Sequence, residues 1–306
     1  MAFTAADVKN LREMTGVGMM DCKKALAEAD GDMDKAVEIL REKGLAASQK
    51  KAGRIAAEGM AYAAVIDGIG VVVEVNAETD FVAKNDKFID FVKGVAATVA
   101  ANKPADLDAL MECKYAGTDM TVLQQQQEMV LVIGENIKVR RFALYTEGVS
   151  VPYIHAGGKI GVLVNLETSL TAEQVNEAGK DVAMQIAALN PRFWDKSEVT
   201  QDVLDEEKKI MLVQMANDPT LANKPDQVKE KIVEGKLNKF YSENCLLQQD
   251  FVKDGEFTVE KYLAKAAKDL GGTITFKSAV RFEKGEGIEK KQENFAEEIA
   301  KQLAGN

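Results

Sequence analysis

A short apolar segment occurs twice in the chain, as IGVVVEVN at residues 69–76 and as IGVLVNL at residues 160–166. Four apolar positions of the two copies match at a constant spacing of 91 residues: Ile69, Val71, Val73 and Val75 with Ile160, Val162, Val164 and Leu166. Apolar residues at every second position predict a β-strand that turns one face to a core. Each segment follows a glycine-containing turn, Asp67-Gly68 or Gly157-Gly158, of the kind that closes a β-hairpin. The sequence therefore predicts two copies of one hairpin.

A second repeat follows each hairpin, and it consists of a helix N-cap, a helix C-cap and the start of a strand. These three roles recur 137 residues apart, at Thr121, Gly134 and Ile137 in the first copy and at Thr258, Gly271 and Ile274 in the second. Both copies thus have the order hairpin, helix, helix, strand. We predict an α+β chain with two duplicated subdomains, at residues 55–145 and 146–283. Each subdomain is expected to be an antiparallel sheet with helices on one face.

An inserted segment separates the two repeats of the second copy. The two spacings differ by 46 residues (137 − 91), so the second copy must contain an insertion of that length. Residues 196–240 supply it and carry two apolar stripes at helical spacing: Val199, Val203, Ile210 and Val213, then Val228, Ile232 and Phe240. Asn217-Asp218-Pro219 ends the first helix, and Pro225 suits the first turn of the second. We predict an antiparallel helical hairpin that projects from the sheet, because such narrow stripes bury little surface.

The first 54 residues predict three short helices and a linker. Thr4 caps the first helix and Gly16 ends it. Asp32 caps the third helix, which we expect to end at Gly44. Residues 46–54 are rich in Ala, Lys and Gln and form the linker, for which a helix is one alternative. A three-helix unit of this size resembles the ubiquitin-associated (UBA) fold.

Residues 284–306 are expected to form a C-terminal module. Ile288, Phe295, Ile299 and Leu303 share one face of a predicted helix. An amphipathic helix at the end of a chain usually docks on its own protein, and we expect that here.

Composition and charge restrict the class of protein. The chain has 306 residues, a net charge of −10 and a pI near 5.0. Binding to nucleic-acid phosphates needs clustered Lys and Arg, so we expect no direct nucleic-acid partner. No apolar run approaches the ~20 residues that span a bilayer, and no secretion signal is found, so no membrane partner is expected. Cys22, Cys113 and Cys245 are odd in number and widely spaced, which predicts free thiols in a reduced, cytoplasmic protein.

Motifs for catalysis and cofactor binding are missing from the sequence. The chain has no P-loop pattern of the GxxxxGK[ST] type. Its single histidine, His155, excludes a metal site with several histidines and argues against a Ser-His or Cys-His catalytic arrangement. We therefore expect no enzymatic activity, no metal and no cofactor. His155 lies beside a glycine-rich turn and suits a surface or edge-strand position.

The segment that follows the first repeated strand, TDFVAKN at residues 79–85, places a carboxylate next to a large apolar ring on a strand-to-helix connection. Connections held by a rigid scaffold often display functional side chains. The residues alone leave two interpretations open. Asp80 can cap the next helix while Phe81 packs on its first turns as a hydrophobic staple. Alternatively, both side chains point outward to a partner.

Three motifs, spread in order over the whole chain, resemble signatures of the elongation factor Ts family. They are TGVGMMDCKKAL at residues 15–26, TDFVAK at residues 79–84 and GEGIEK at residues 285–290. One departure is Asn85, where many relatives carry an acidic residue. Members of this family are guanine-nucleotide exchange factors of elongation factor Tu. The resemblance implies a translation elongation factor that promotes GDP release from factor Tu without enzymatic chemistry, so that GTP can rebind.

The resemblance also assigns roles to the residues of the strand-to-helix connection. In the family, the Asp-Phe pair enters the nucleotide domain of factor Tu near its Mg²⁺-binding residues. Asp80 and Phe81 would take that role here, with Phe81 inserted between helices of the partner and Asp80 disturbing polar contacts around the metal. Thr79 and Val82 would hold the connection so that the pair is presented rigidly.

Further contacts with factor Tu are implied elsewhere in the chain. Arg12, Met19 and Met20 are the candidates in the N-terminal module, because methionine adapts well to a partner surface. Met19 and Met20 can instead seal the three-helix core. A family histidine makes His155 a weak candidate, and the C-terminal module is expected to contact the partner. The helical hairpin corresponds to a coiled-coil arm that some members use for self-association, so here it could pair two copies or stay free.

Two other functions are compatible with parts of the sequence. Twin α+β halves can frame a cleft, which suits a small-molecule enzyme, although the usual catalytic motifs are missing. A UBA-like unit suits an adaptor for ubiquitin-like partners, but that function leaves the Asp80-Phe81 pair unexplained. We therefore expect an exchange factor.

Overall fold

Three α-helices form the N-terminal part of the computed structural model, which describes residues 3–218, 220–221 and 224–289. They are α1 (Ala5–Thr15), α2 (Met19–Glu28) and α3 (Met33–Lys51). The side chain of Thr4 accepts a hydrogen bond from the backbone N–H of Asp7, and Gly16 ends α1 in the left-handed conformation. Asp32 caps α3. The helices enclose a small apolar core of Leu11, Cys22, Leu26, Ala36 and Leu40.

The first sheet and its helices follow in the predicted order. The elements are β1 (Glu58–Ile66), β2 (Ile69–Ala77), α4 (Asp80–Ala83), α5 (Asp86–Asn102), α6 (Leu107–Glu112), α7 (Val122–Ile133) and β3 (Lys138–Tyr145). The strands pair antiparallel in the order β1-β2-β3. Val71, Val73 and Val75 share one buried cluster with Phe88 of α5 and Val130 of α7, so the helices cover one face of the sheet.

The second sheet repeats this arrangement with an insertion. Its elements are β4 (Val149–His155), β5 (Ile160–Thr168), α8 (Ala172–Leu189), α9 (Gln201–Asn217), α10 (Asp226–Asn244), β6 (Asp250–Phe251), β7 (Asp254–Thr258), α11 (Val259–Leu270) and β8 (Ile274–Glu283). β4, β5 and β8 pair antiparallel in that order, while β6 and β7 form a separate pair. The repeated segments are the central strands β2 and β5. The prediction of an α+β chain with antiparallel sheets is confirmed.

The two sheets pack against each other through the faces that point away from their helices. They bury a shared apolar cluster of Ala61, Ala63, Val72, Leu163 and Phe282. This packing explains why a glycine follows the isoleucine in both copies, at Gly70 and Gly161. A side-chain carbon at Gly70 would lie 2.3 Å from Ser150 Oγ, and one at Gly161 would lie 3.1 Å from the backbone of Ala61. The layers are therefore helices, sheet, sheet and helices.

Glu74 is a fully buried carboxylate between the two sheets. It accepts hydrogen bonds from Arg140 Nη1 at 2.9 Å, from Arg141 Nε at 2.5 Å and from the backbone N–H of Gly285 at 2.8 Å. β2 runs to Ala77, and the second sheet covers the face of this strand that carries Glu74. A buried charge must be paired, and here the pairing ties the segment after β8 to the first sheet.

Gly285 and Glu286 of the GEGIEK motif therefore pack on the chain itself. Gly285 has φ +71°, and a side-chain carbon there would lie 2.1 Å from the carbonyl oxygen of Ala57. The backbone oxygen of Glu286 accepts a hydrogen bond from Arg140, and its carboxylate pairs with Arg141 at 3.0 Å. The helix predicted for residues 288–303 falls outside the described residues from 290 onwards.

Helix α3 continues past Gly44, so the predicted end of this helix is wrong. A side-chain carbon at Gly44 would lie 3.3 Å from the carbonyl oxygen of Gln127 in α7. Leu131 and Val132 of α7 also pack against the N-terminal core. Gly44 thus permits a close helix–helix contact. The helix extends to Lys51, so the first part of the predicted linker is helical.

The inserted segment contains α9 and α10, and its packed face agrees with the predicted stripes only in part: Val199, Val203 and Phe240 pack in one apolar cluster with Met211. The buried side chains of the segment are Val199, Met211, Met215 and Phe240. Ile210, Val213 and Val228 are exposed instead. Since an α-helix turns about 100° per residue, the burial of Met211 in place of Ile210 rotates the packed face by about that angle in the second half of α9 only. α10 extends to Asn244, four residues beyond the predicted end of the hairpin.

The cysteines are free thiols. Cys22 and Cys245 are buried, and Cys113 is half-buried. Burial raises the pKa of the Cys22 thiol and raises that of Cys245 to about 11, because an apolar environment disfavours the thiolate.

Over the described residues, none of the helices combines the length and the apolar character needed to cross a membrane.

Candidate protein-binding site on the connection between β2 and α5

The connection between β2 and α5 is longer than its counterpart in the second copy. The spacing between the copies is 91 residues at the strand starts, Ile69 and Ile160, but only 86 at the helix N-caps, Asn85 and Thr171. The first copy thus has five more residues between strand and helix (91 − 86). We call residues 78–84 the display loop. The comparison within this chain marks it as an addition to the common fold.

Phe81 is the most exposed large apolar side chain of the described residues, with 80% of its surface accessible. The next residue, Val82, is 8% exposed and belongs to the core of the first sheet. The display loop therefore buries one side chain and exposes its neighbour. The N-cap of α5 is Asn85, whose Oδ1 accepts a hydrogen bond from the N–H of Lys87 at 2.9 Å. The interpretation in which Asp80 caps the long helix and Phe81 packs on it as a staple is wrong.

Asp80 lies beside Phe81 at the start of the single-turn helix α4. Its carboxylate is about half exposed and pairs with Lys84 Nζ at 3.2 Å across one helical turn. An exposed pair of this kind contributes little to stability. Asp80 is therefore able to change partners without a large loss of folding free energy.

Thr79 is held by a residue that the sequence did not single out. Glu135 Oε2 accepts the backbone N–H of Thr79 at 3.0 Å, and Glu135 Oε1 accepts its hydroxyl at 2.7 Å. A second carboxylate, on the display loop itself, bonds back to the segment of Glu135: Glu78 Oε1 accepts the N–H of Asn136 at 2.6 Å. Only the position of residues 135–136, directly after the helix-ending Gly134, hinted at a role in the sequence.

An open groove of about 1160 Å³ adjoins the display loop. Its walls include Arg54, Glu58 and Lys284, together with Asp80 and Phe81. Lys284 pairs with Glu58 at 2.5 Å. The groove thus has both polar and apolar walls and leaves the Phe81 ring uncovered. Burial of the ring requires another molecule.

The N-terminal helices expose a second apolar surface. Met19 and Met20, in the first turn of α2, are 51% and 63% exposed, so the interpretation in which both seal the three-helix core is wrong. Met14 is equally exposed and was missed from the sequence. Arg12 is exposed near the end of α1. Lys87 Nζ donates a hydrogen bond to the backbone oxygen of Gly16 at 3.2 Å, which joins this end of α1 to the first turn of α5.

His155 is an exposed residue at the end of β4 in the second sheet. Its Nδ1 lies 3.0 Å from the Tyr153 hydroxyl, and the two rings are 5.9 Å apart. Among the described residues, no hydrogen bond or ring contact connects it to the display loop. The structure therefore does not bring His155 together with the other candidate residues.

Within the part of the chain that the structure describes, no group of three or more His, Cys, Asp or Glu side chains could hold a metal ion. The exposed groups of the display loop are the Phe81 ring, the Asp80 carboxylate and the Lys84 ammonium group. These groups suit recognition of a protein surface better than transformation of a small molecule.

Comparison with known proteins gives consistent results along the chain. A family model described as "Elongation factor TS" matches residues 78–286, and the match begins at the first residue of the display loop. Elongation factor Ts of Clostridium kluyveri is 49% identical over 307 residues, covering 99% of both chains. Elongation factor Ts of Syntrophotalea carbinolica is 48% identical over 303 residues, and that of Clostridium tetani is 49% identical over 305 residues; each match covers 98% of this chain and 99% of the relative.

Proposed function

This chain belongs to the elongation factor Ts family, and from that membership we propose that it binds GDP-loaded elongation factor Tu in the cytoplasm and promotes release of the GDP. GTP then rebinds to the emptied factor Tu. The observation that carries this proposal is the Phe81 ring, which is 80% exposed on a loop held by Glu135 and Val82. The proposed role requires binding alone, with no bond made or broken by this chain.

Exchange follows from thermodynamic linkage. A protein that binds the nucleotide-free form of a GTPase more tightly than the loaded form must weaken nucleotide binding by the same free energy. A GTPase holds GDP in part through Mg²⁺, which bridges phosphate oxygens and protein ligands. Displacement of those protein ligands therefore loosens the nucleotide.

The display loop supplies the groups for this displacement. Phe81 inserts into an apolar pocket between helices of factor Tu, and burial of one ring contributes about 2–3 kcal/mol. Asp80, which gives up only the exposed pair with Lys84, disturbs polar contacts around the Mg²⁺ of the partner. Thr79 and Val82 fix the loop, a role supported by the two hydrogen bonds of Thr79 and the burial of Val82.

The N-terminal helices provide a second contact through Arg12, Met19 and Met20, all of which are exposed. We expect the double substitution Met19→Ser and Met20→Ser to raise the dissociation constant for factor Tu about tenfold or more, because two apolar side chains lose their burial at the interface. Calorimetry of the complex with nucleotide-free factor Tu measures this change.

Val252→Ser is the control for the methionine substitutions. Val252 is 51% exposed on the turn between β6 and β7, so its substitution removes comparable surface elsewhere. If the methionine double variant bound factor Tu with unchanged affinity, the proposed contact through the N-terminal helices would be wrong.

The finer architecture is also proposed from family membership. Helices α1–α3, within residues 1–54, form a UBA-like domain, and residues 55–145 and 146–283 form the two core subdomains. Helices α9 and α10, in the insertion predicted at residues 196–240, form a coiled-coil arm through which two copies could associate. His155 is retained as a weak candidate for partner contact, supported by its exposure. The net charge of −10 supports a protein partner over direct nucleic-acid binding.

A nucleotide-release assay tests the proposed function. Factor Tu is loaded with a fluorescent GDP, excess unlabelled GDP is added, and release is followed with and without this protein. We expect release to be much faster with the protein at substoichiometric concentration, since one copy can act repeatedly. Release at the spontaneous rate would overturn the proposal.

A further inference from the structure

We propose that Glu135 is a positioning residue that fixes the display loop so that Phe81 and Asp80 are presented to the partner. The restraint of the loop is argued from the geometry of the free protein. Its effect on nucleotide release rests on the proposed function. Glu135 is 56 residues away from Thr79 in the chain, and both of its carboxylate oxygens are committed to that residue.

The contact between Glu135 and Thr79 restrains the loop in two ways. The bond to the backbone N–H fixes the path of the chain as it leaves β2. The bond to the hydroxyl fixes the side chain of the same residue. Hydrogen bonds to an ionised carboxylate are stronger than those between neutral groups. The entry of the display loop is therefore held rigidly.

A reciprocal contact strengthens this arrangement. Glu78 accepts the backbone N–H of Asn136, and the Asn136 side chain donates to the backbone oxygen of Arg54 at 2.8 Å. Arg54 Nη1 in turn lies 3.5 Å from Glu78. Residues 78–79 and 135–136 thus exchange carboxylate-to-backbone bonds in both directions. We call these four residues the carboxylate clamp.

The short connection between α7 and β3 supports the clamp. Gly134 ends α7 in the left-handed conformation with φ +88°, and Ile137 directly after the clamp is buried. Glu135 is therefore anchored between a packed helix and the sheet. A carboxylate on a short connection that is anchored at both ends is held more precisely than one on a free loop.

The display loop has few other restraints. Helix α4 contains only four residues, which is too short to be stable alone. The loop is closed after Phe81 by bonds from Lys84 N to Phe81 O at 3.2 Å and from Asn85 N to Val82 O at 2.9 Å, and Val82 is buried. The ring itself is not packed. Its direction depends on the backbone at both ends of the loop, of which Glu135 holds the first.

This arrangement explains how an uncovered ring can act efficiently. A mobile loop would have to be ordered when the partner binds, and that ordering would subtract from the affinity. A loop already held in one geometry avoids most of that loss. Without Glu135, the partner must bind from a more mobile state, so affinity falls while the bound geometry is preserved.

Hydrogen exchange of the free protein tests the structural part of the inference. In Glu135→Ala we expect the amide of Thr79, which loses its acceptor, and the amide of Lys84, which closes the loop, to exchange at least about tenfold faster, with no change in α5, because only the loop loses its restraint. Glu112→Ala is the matched control, since Glu112 is exposed at the end of α6 and has no side-chain hydrogen bond or ion pair among the described residues. Unchanged exchange at residues 79–84 would overturn the inference.

Nucleotide release from factor Tu tests the functional part. We expect Glu135→Ala to raise the concentration of this protein that gives half-maximal release about tenfold, with the maximal rate within about twofold, because ordering of the loop now opposes binding. In the Phe81→Ala background the same substitution should change that concentration less than about twofold, since the ring it presents is absent. An equal effect in both backgrounds would show a general structural role and overturn the inference.

Glu135→Gln provides the conservative variant if Glu135→Ala does not fold. Its amide oxygen can accept the N–H of Thr79, and its amide nitrogen can donate to the hydroxyl. We therefore expect the amide exchange rates of the display loop, and the protein concentration that gives half-maximal release, to stay within about threefold of the values for the unsubstituted protein. If Glu135→Gln changed the loop exchange rates and the half-maximal concentration as much as Glu135→Ala does, positioning by these two bonds would be contradicted. The exchange measurement needs no factor Tu, so failure of the proposed function and failure of the clamp give different results.

Discussion

Replacement of Phe81 by alanine is expected to slow factor Tu nucleotide release by about 30- to 100-fold at subsaturating concentrations of this protein. The estimate follows from the about 2–3 kcal/mol that burial of one aromatic ring contributes, at about 1.4 kcal/mol per factor of ten. The ring is 80% exposed in the free chain, so that contribution is available to the partner. Stopped-flow release of fluorescent GDP measures the effect.

Two comparisons separate the role of Phe81 from general damage. The thermal unfolding midpoint of Phe81→Ala should match that of the unsubstituted chain, because little apolar surface of the ring is buried in the fold. Phe81→Leu keeps an apolar side chain and should retain an intermediate rate. Full activity in Phe81→Ala would discard insertion of the ring while leaving family membership intact.

Replacement of Glu74 by alanine is expected to lower the free energy of unfolding by about 3–5 kcal/mol, since it leaves Arg140 and Arg141 without their shared carboxylate. The side chains of the two arginines are 25% and 31% exposed, so some water reaches them and the lower end of that range applies. The N–H of Gly285 loses its partner as well. Chemical denaturation at neutral pH measures the change.

Glu147→Ala is the matched control for Glu74. Glu147 is 85% exposed and lies 3.9 Å from Lys277 Nζ, so its removal should cost less than about 1 kcal/mol. If the free energy of unfolding of Glu74→Ala lies within about 1 kcal/mol of that of the unsubstituted chain, the buried cluster does not hold the segment after β8 to the first sheet.

The repeats were predictable because both copies obey the same local rules. Apolar alternation, turn glycines and threonine N-caps appear twice in the same order, and the comparison of two copies cancels accidental matches. Thr121 and Thr258 both cap their helices in the structure, and Gly134 and Gly271 both end them in the left-handed conformation. Local signals of this kind are contained in a few neighbouring residues.

Other features depend on contacts between distant segments and could not be predicted from local patterns. Gly44 has the sequence signature of a helix end, but packing on Gln127 of α7 makes it a contact point within α3. Glu74 alternates with buried valines as a solvent-facing residue would, yet the second sheet covers it. A single sequence does not show which faces will meet.

The candidate site was predictable in part. Asp80 and Phe81 were recognised from a family signature, whereas the direction of the ring was left open between an inward and an outward position. The structure distinguishes these positions because Asn85 caps α5 and Val82 occupies the core. Glu135 carried no motif. Its role depends on the juxtaposition of residues 79 and 135, which only the fold creates.

The state of the Phe81 ring in the complex tests the account most directly. A 4-fluorophenylalanine placed at residue 81 reports ring exposure through the broadening of its ¹⁹F resonance by a soluble paramagnetic reagent. The account predicts strong broadening in the free chain, protection in the complex with nucleotide-free factor Tu, and renewed broadening when excess GDP separates the two proteins. A resonance that stays fully accessible in a complex still able to release GDP rapidly would contradict it.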